Sequence, residues 1–294
     1  MNLLITGGAG FVGRRTAESA KARGHKVTVT DVNKCDPFSG VTVESADILD
    51  YDRVLSLVDG HDAVIHCAAV VGPQRVQKQP TLAVGVNVTG TAHVLEAAKA
   101  SSAAVVFLST ATLYGTRPDL EPIGEDTPPS PVGLYDATKW AAEILCNTYR
   151  DNMEVAVASV RTSFVYGPGY STGEYFVEAA LVGNTVAEAN GRDHPCDFTY
   201  VSDLADGLIL AAERSPLPRP AYNLSSGILR TRGEFAEAVR RVVPQADIRL
   251  GPGIDPKRHL RGPCLIERAR ADFGYEPRFT IESGVRDWIS REGL

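Results

Sequence analysis

The chain has 294 residues, 44% hydrophobic and 22% charged, with a net charge of −6. That length supports one large core with a smaller appendage, and the mixed composition excludes a disordered or fibrous protein. The acidic balance opposes phosphate backbones and anionic lipid, so neither nucleic acid nor a membrane is an expected partner, and no run approaches the ~18 apolar residues of a membrane span.

Met1–Gly7 passes straight into a strand and turn, without the basic segment and apolar core of a secretion signal. The five cysteines are odd in number and lack CxxC spacing, which predicts free thiols in a reducing, cytoplasmic compartment. Apolar runs then alternate with helical stretches. Strands are predicted at Asn2–Thr6, Lys26–Asp31, Val41–Ser45, Ala63–His66, Ala104–Leu108 and Val155–Val160, each short and bounded by turn formers. Helices are predicted near Val12–Arg23, Tyr51–Val58, Leu82–Ala100 and Tyr135–Asn152. The alternation predicts an α/β fold, a doubly wound parallel sheet of the Rossmann kind.

After about residue 165 the loops lengthen and become rich in Pro and Gly, which predicts a smaller C-terminal lobe over residues 166–294 that binds substrate. Residues 1–165 form the expected dinucleotide-binding domain, and about 197–225 is expected to return to it, because Asp197–Glu213 has the pattern of a strand and helix. The Thr116–Gly133 loop contains five prolines and precedes a predicted helix, where substrate loops tend to lie.

Thr6–Gly13 reads TGGAGFVG between the first strand and the first helix. In that context Gly7 permits a tight turn, Gly10 lets backbone amides approach a pyrophosphate, and Gly13 gives the helix close packing. Phe11 and Val12 complete the helix start, whose dipole favours an anion. Asp31 ends the second strand, about 20 residues on, where an acid accepts ribose hydroxyls. A carboxylate there repels a 2′-phosphate and selects NAD over NADP; Lys34 is the nearest cation that would weaken this. Asp47 and Ile48 follow the third strand and either bracket an adenine or begin the next helix, with Asp47 as its cap.

These segments, with HCAAV at His66–Val70, Asn87 ahead of Gly90-Thr91, STATLYG at Ser109–Gly115, YDATK at Tyr135–Lys139, RTSFVYGPG at Arg161–Gly169 and DFTYVSDLA at Asp197–Ala205, resemble the extended short-chain dehydrogenase/reductase family, in its NAD-dependent sugar epimerase and dehydratase branch. Tyr135 and Lys139 stand one helical turn apart, so an ammonium near the phenol is expected to lower its pKa toward working pH. The resemblance implies that Lys139 also holds the nicotinamide ribose, that Thr110 hydrogen-bonds the reacting oxygen, and that Ala68 and Asn87 belong to the cofactor loop. His66 reads as structural, and the six histidines show no metal-ligand spacing.

Family dehydratases carry Asp-Glu directly after the Thr, and decarboxylases of nucleotide-linked uronic acids carry Glu where Thr112 stands; here the positions hold Ala111 and Thr112. The remaining pattern resembles sugar 4-epimerases and is compatible with a plain dehydrogenase. Diphosphate-binding members have Asn and Arg where this chain has Phe164 and Cys196. Thr112, Phe164 and Arg192 are therefore candidate substrate contacts, with Arg258 or Arg261 as further replacements for the missing Arg. Three readings stay open: an epimerase of a sugar or nucleotide sugar, an NAD-dependent dehydrogenase of a free sugar, sugar acid or small polyol, and a non-catalytic NAD-binding protein. The resemblance also implies a homodimer through the helices at Leu82–Ala100 and Tyr135–Asn152.

Overall fold

The structure is a computed structural model that describes residues 1–35, 38, 40–169 and 175–291. Strands β1 (Asn2–Thr6), β2 (Lys26–Asp31) and β3 (Thr42–Ser45) alternate with helices α1 (Phe11–Ala22) and α2 (Tyr51–Val58). Then come β4 (Ala63–His66), α3 (Pro73–Lys78), α4 (Pro80–Val84), a π-helical turn (Gly85–Thr89) and α5 (Gly90–Ser101). β5 (Ala104–Leu108), α6 (Leu134–Met153) and β6 (Val157–Arg161) follow. All strand pairings of the main sheet are parallel.

The C-terminal part contributes β7 (Val165–Tyr166), α7 (Phe176–Leu181), β8 (Val186–Glu188), β9 (Pro195–Asp197), β10 (Thr199–Tyr200), α8 (Val201–Glu213) and β11 (Ala221–Asn223). Beyond these lie β12 (Leu229–Thr231), α9 (Arg232–Val242), β13 (Ile248–Leu250), α10 (Glu267–Phe273) and α11 (Ile281–Arg291). β11 adds to the edge of the main sheet beside β6, and α8 packs on α1. The smaller pairings β7–β10, β9–β12 and β8–β13 build the layer beside it.

The sheet order β3-β2-β1-β4-β5-β6-β11 reverses direction between β1 and β4. At that switch point a crevice opens beyond the carboxyl ends of the strands. Burial on both faces follows from strand alternation: Leu3, Ile5, Ala63, Ile65 and Val106 enter one core, while Leu4, Val64, Val105 and Phe107 enter the other.

The helix predicted at Leu82–Ala100 is interrupted by the π-helical turn, which carries Asn87 inward. The Asn87 side chain accepts from the Val70 amide at 2.7 Å and donates to the Val70 carbonyl at 3.1 Å, tying this turn to the loop after β4. The sixth strand begins two residues later than its apolar run, at Val157.

Candidate active site

The turn between β1 and α1 is built on missing side chains. Gly7 sits at φ +72°, and a Cβ on it would lie 2.8 Å from the Ala68 amide nitrogen; one on Gly13 would lie 2.2 Å from the Gly7 carbonyl oxygen. The N-cap residue of α1 is Gly10, which has no side chain to offer the helix. Its first turn, Gly10–Gly13, therefore presents backbone to a cleft of about 540 Å³ that Asp31, Asp47, Ile48, Ala68 and Leu108 also line. The Asp31 carboxylate closes the turn from the end of β2, accepting from the Ala9 amide at 3.1 Å and from the Asn33 backbone and side-chain amides at 2.8 and 3.0 Å. Asp47 accepts from the Leu49 amide, while Asp50 caps α2, so of the two roles considered for Asp47 the cap falls to its neighbour.

Below the turn runs a buried chain of fixed polarity. Thr91 donates to the Asn87 carbonyl, so its oxygen accepts Nε2–H of His66 at 3.0 Å; Nδ1 of His66 then accepts from Thr6 at 2.7 Å, and Thr6 accepts from the Ala68 amide at 3.2 Å. Burial, aided by the Lys139 charge, lowers the His66 pKa to about 3, so the ring stays neutral. It fixes the backbone at Ala68.

Thr110 stands just past the end of β5, and Tyr135 lies in the first turn of α6. Asp136, next to Tyr135, accepts from the Gly133 amide at 3.0 Å and caps the helix. Its other oxygen accepts from Thr112 at 2.5 Å. Asn87 reaches α6 as well, donating to Thr138 at 2.9 Å.

The expected depression of the tyrosine pKa is not what the structure gives. Burial first and the Asp136 charge second push the Tyr135 phenol up, and only the Thr110 hydroxyl opposes them. The Lys139 ammonium instead lies 4.0 Å from the centroid of the Phe107 ring. Burial brings its pKa down to about 8, with Cys146, Cys67 and Glu143 acting in the opposite direction. Sequence spacing put both groups on one helix face but did not fix where the ammonium ends.

On the far side of Tyr114 the substrate candidates separate. Phe164 packs on Phe198, and the Arg261 guanidinium lies 5.8 Å from the Phe164 centroid. Arg261 is buried, donates to the Gly115 carbonyl at 3.3 Å, and has no partner for Nε among the described residues. Burial lowers its pKa, opposed by the nearby Cys264, Asp136 and Cys196. Arg192 does not join this group. Its backbone is held against the start of α9 by Gly233, and its exposed side chain pairs with Asp193 in a separate groove.

Residues 3–225 match the model of the NAD dependent epimerase/dehydratase family. The chain belongs to this family. Over 308 residues it is 30% identical to UDP-glucuronic acid decarboxylase 1 of Danio rerio, covering 99% of this chain and 73% of that one. It is also 30% identical to UDP-glucose 4-epimerase of Mycolicibacterium smegmatis, covering 97% and 96%. The crystal structure of Thermus thermophilus UDP-glucose 4-epimerase in complex with NAD superposes over all of both chains, with a TM-score of 0.86 and 27% identity. This epimerase/dehydratase family member is an NAD-dependent enzyme of the short-chain dehydrogenase/reductase type.

Its cleft fits the cofactor, since glycine backbone, a helix start with glycine at its N-cap and an anchored carboxylate converge at the sheet's switch point. Sequence reasoning missed Asp136 as a site residue. The available signal was its place in the first turn of the predicted helix, directly after Tyr135. Among the described residues no group of three His, Cys, Asp or Glu side chains could hold a metal ion, and no helix is long and apolar enough to cross a membrane.

Proposed function

We propose that the enzyme is a 4-epimerase of a nucleotide sugar, working through a keto intermediate. The observation that carries this reading is the placement of Thr110 just past the end of β5, with Ala111 and Thr112 after it where other branches need carboxylates. NAD, when bound, supplies the acceptor and later the donor of hydride. Gly7, Gly10, Phe11, Val12 and Gly13 would hold its pyrophosphate, Asp31 its adenosine ribose, Asp47 and Ile48 its adenine, and Lys139 its nicotinamide ribose. Ala68 and Asn87 shape the wall beside it. Thr110 would polarise the reacting oxygen while Tyr135 takes and returns its proton.

Arg261 supports a diphosphate in the substrate. A buried guanidinium without an ion pair among the described residues is costly unless an anion completes it. It lies near Cys196, where diphosphate-binding relatives place an Arg, so the same charge reaches the same neighbourhood from another part of the chain. Phe164 forms the apolar face beneath it.

Incubation with UDP-glucose, UDP-galactose and UDP-glucuronic acid, followed by chromatography and mass analysis, separates the readings. The expected product is the 4-epimer without net absorbance from reduced nicotinamide. Accumulating NADH would assign a dehydrogenase, and loss of carbon dioxide a decarboxylase.

Asp31 gives a second expectation. A unit charge ~4 Å from a 2′-phosphate costs ~1–4 kcal/mol at effective dielectric constants between those of water and a protein surface. NAD is therefore expected to bind at least about 5-fold more tightly than NADP by calorimetric titration, with Asp31→Asn narrowing the gap. Equal affinity for the two in the unaltered enzyme would remove Asp31 from this role.

A further inference from the structure

Both oxygens of the Asp136 carboxylate are committed inside the protein: Oδ2 accepts from the Gly133 amide at 3.0 Å, and Oδ1 accepts from the Thr112 hydroxyl at 2.5 Å. The group is 6% exposed and held from two sides, so it does not turn away from either donor. Thr112 has a single hydroxyl proton, and Asp136 takes it. Toward any other neighbour the oxygen of half-buried Thr112 is therefore an acceptor only.

The Thr110 and Thr112 oxygens lie 3.0 Å apart, close to the separation of two neighbouring oxygens on a sugar. Thr110 accepts from the Thr112 amide at 3.1 Å, which fixes its oxygen and leaves its proton free to turn. With no sugar present that proton goes to Thr112, the acceptor beside it.

We infer that Thr112 and Asp136 form a specificity pair that reads a substrate hydroxyl next to the reacting oxygen, accepting its hydrogen bond and refusing any group that cannot donate one. This rests on Thr110 receiving the reacting oxygen in the proposed epimerase. The neighbouring sugar hydroxyl donates to Thr112 in place of Thr110, and the released Thr110 proton turns to the reacting oxygen. Each of two adjacent sugar oxygens then faces one threonine. Asp136 is a positioning residue: it acts by keeping the Thr112 proton away from the sugar. A substituent that only accepts, such as fluorine or a carboxylate, sets lone pair against lone pair and is rejected. Beside the 4-position a hexose offers two hydroxyls that could be read, on C3 and on C6.

The test measures kcat/KM of the NAD-loaded enzyme for UDP-glucose against its 3-deoxy, 3-deoxy-3-fluoro, 6-deoxy and 6-deoxy-6-fluoro forms. At one of the two positions the deoxy and fluoro sugars are both expected to lose about 10-fold or more, because neither hydrogen nor fluorine donates. In Asp136→Asn the asparagine carbonyl can keep the Gly133 cap while its amide donates to Thr112, whose proton then faces the sugar. There the fluoro sugar is expected to outrun the deoxy sugar by about 5-fold. A merely structural Asp136 would lower every sugar alike and leave that ratio unchanged. Thr112→Val keeps the side-chain shape without the acceptor, and should bring hydroxyl, deoxy and fluoro sugars to the same rate at the position read.

The pair is overturned if the unaltered enzyme turns over both deoxy sugars as well as UDP-glucose, if the fluoro sugars match the hydroxyl, or if Asp136→Asn leaves the fluoro-to-deoxy ratio as it was. If no UDP-sugar is turned over, the same series of free glucose is used, with NADH formation as readout. The predicted pattern in that series would sink the nucleotide-sugar reading and leave the pair standing; no turnover in either series overturns both.

Discussion

Replacing Tyr135 with phenylalanine is expected to lower kcat by ~10²–10⁴-fold, the usual contribution of a positioned acid/base, while NAD affinity stays nearly unchanged. The two halves of this expectation have separate causes. The substitution removes one oxygen and leaves the ring against the cluster of Val70, Val76 and Ala83. The polar groups proposed for the dinucleotide, the glycine turn and Asp31, lie at the ends of β1 and β2 and do not touch that oxygen. Turnover assays beside calorimetric titration with NAD separate the effects. A variant that keeps wild-type kcat would dismiss the tyrosine as proton carrier, and one that loses NAD affinity in parallel would make its role architectural.

The parts of the molecule that local rules specify were legible in the sequence. Parallel strands buried on both faces appear as short apolar runs, and Asn2–Thr6, Lys26–Asp31, Ala63–His66 and Ala104–Leu108 have the bounds read from the chain. The glycine turn was legible for a similar reason: the close approaches at Gly7 and Gly13 admit no Cβ, so the constraint acts on the residue itself. The π-helical turn was not, because apolar periodicity continues through Gly85–Thr89, and the interaction that carries Asn87 inward is with Val70, distant in sequence.

The electrostatics of the site were hidden for the same reason. Spacing places Tyr135 and Lys139 on one face, but Phe107 from β5 receives the ammonium and Asp136 counters the phenol. Arg192 and Arg261 are equivalent as letters. Burial distinguishes them, and it is set by how residues 260–265 lie along the Thr116–Gly133 loop, with Arg117 bonded to Leu260 and Ile123 to Pro263.

Arg161→Met is expected to destabilise the fold by ~3–5 kcal/mol, the cost of leaving a buried charge without its partner, measurable as a lower denaturant midpoint. Arg161 ends β6 and holds the Glu143 carboxylate through Nε at 3.2 and 3.1 Å and through Nη2 at 2.7 Å. Its Nη1 donates to the Tyr114 phenol and to the Glu125 carbonyl. Both members of the pair are almost fully buried. Because Glu143 stands one turn beyond Lys139 on α6, this anchor sets the height of the helix that carries Tyr135 and Lys139 over the sheet. The double variant Arg161→Met with Glu143→Leu removes both charges, and should recover most of the lost stability, since an apolar pair of similar volume replaces a buried ion pair at little cost. An Arg161→Met protein as stable as wild type would show that the pair does not anchor α6. Recovery of stability without recovery of kcat in the double variant would place its value in the orientation of Lys139 and Tyr135.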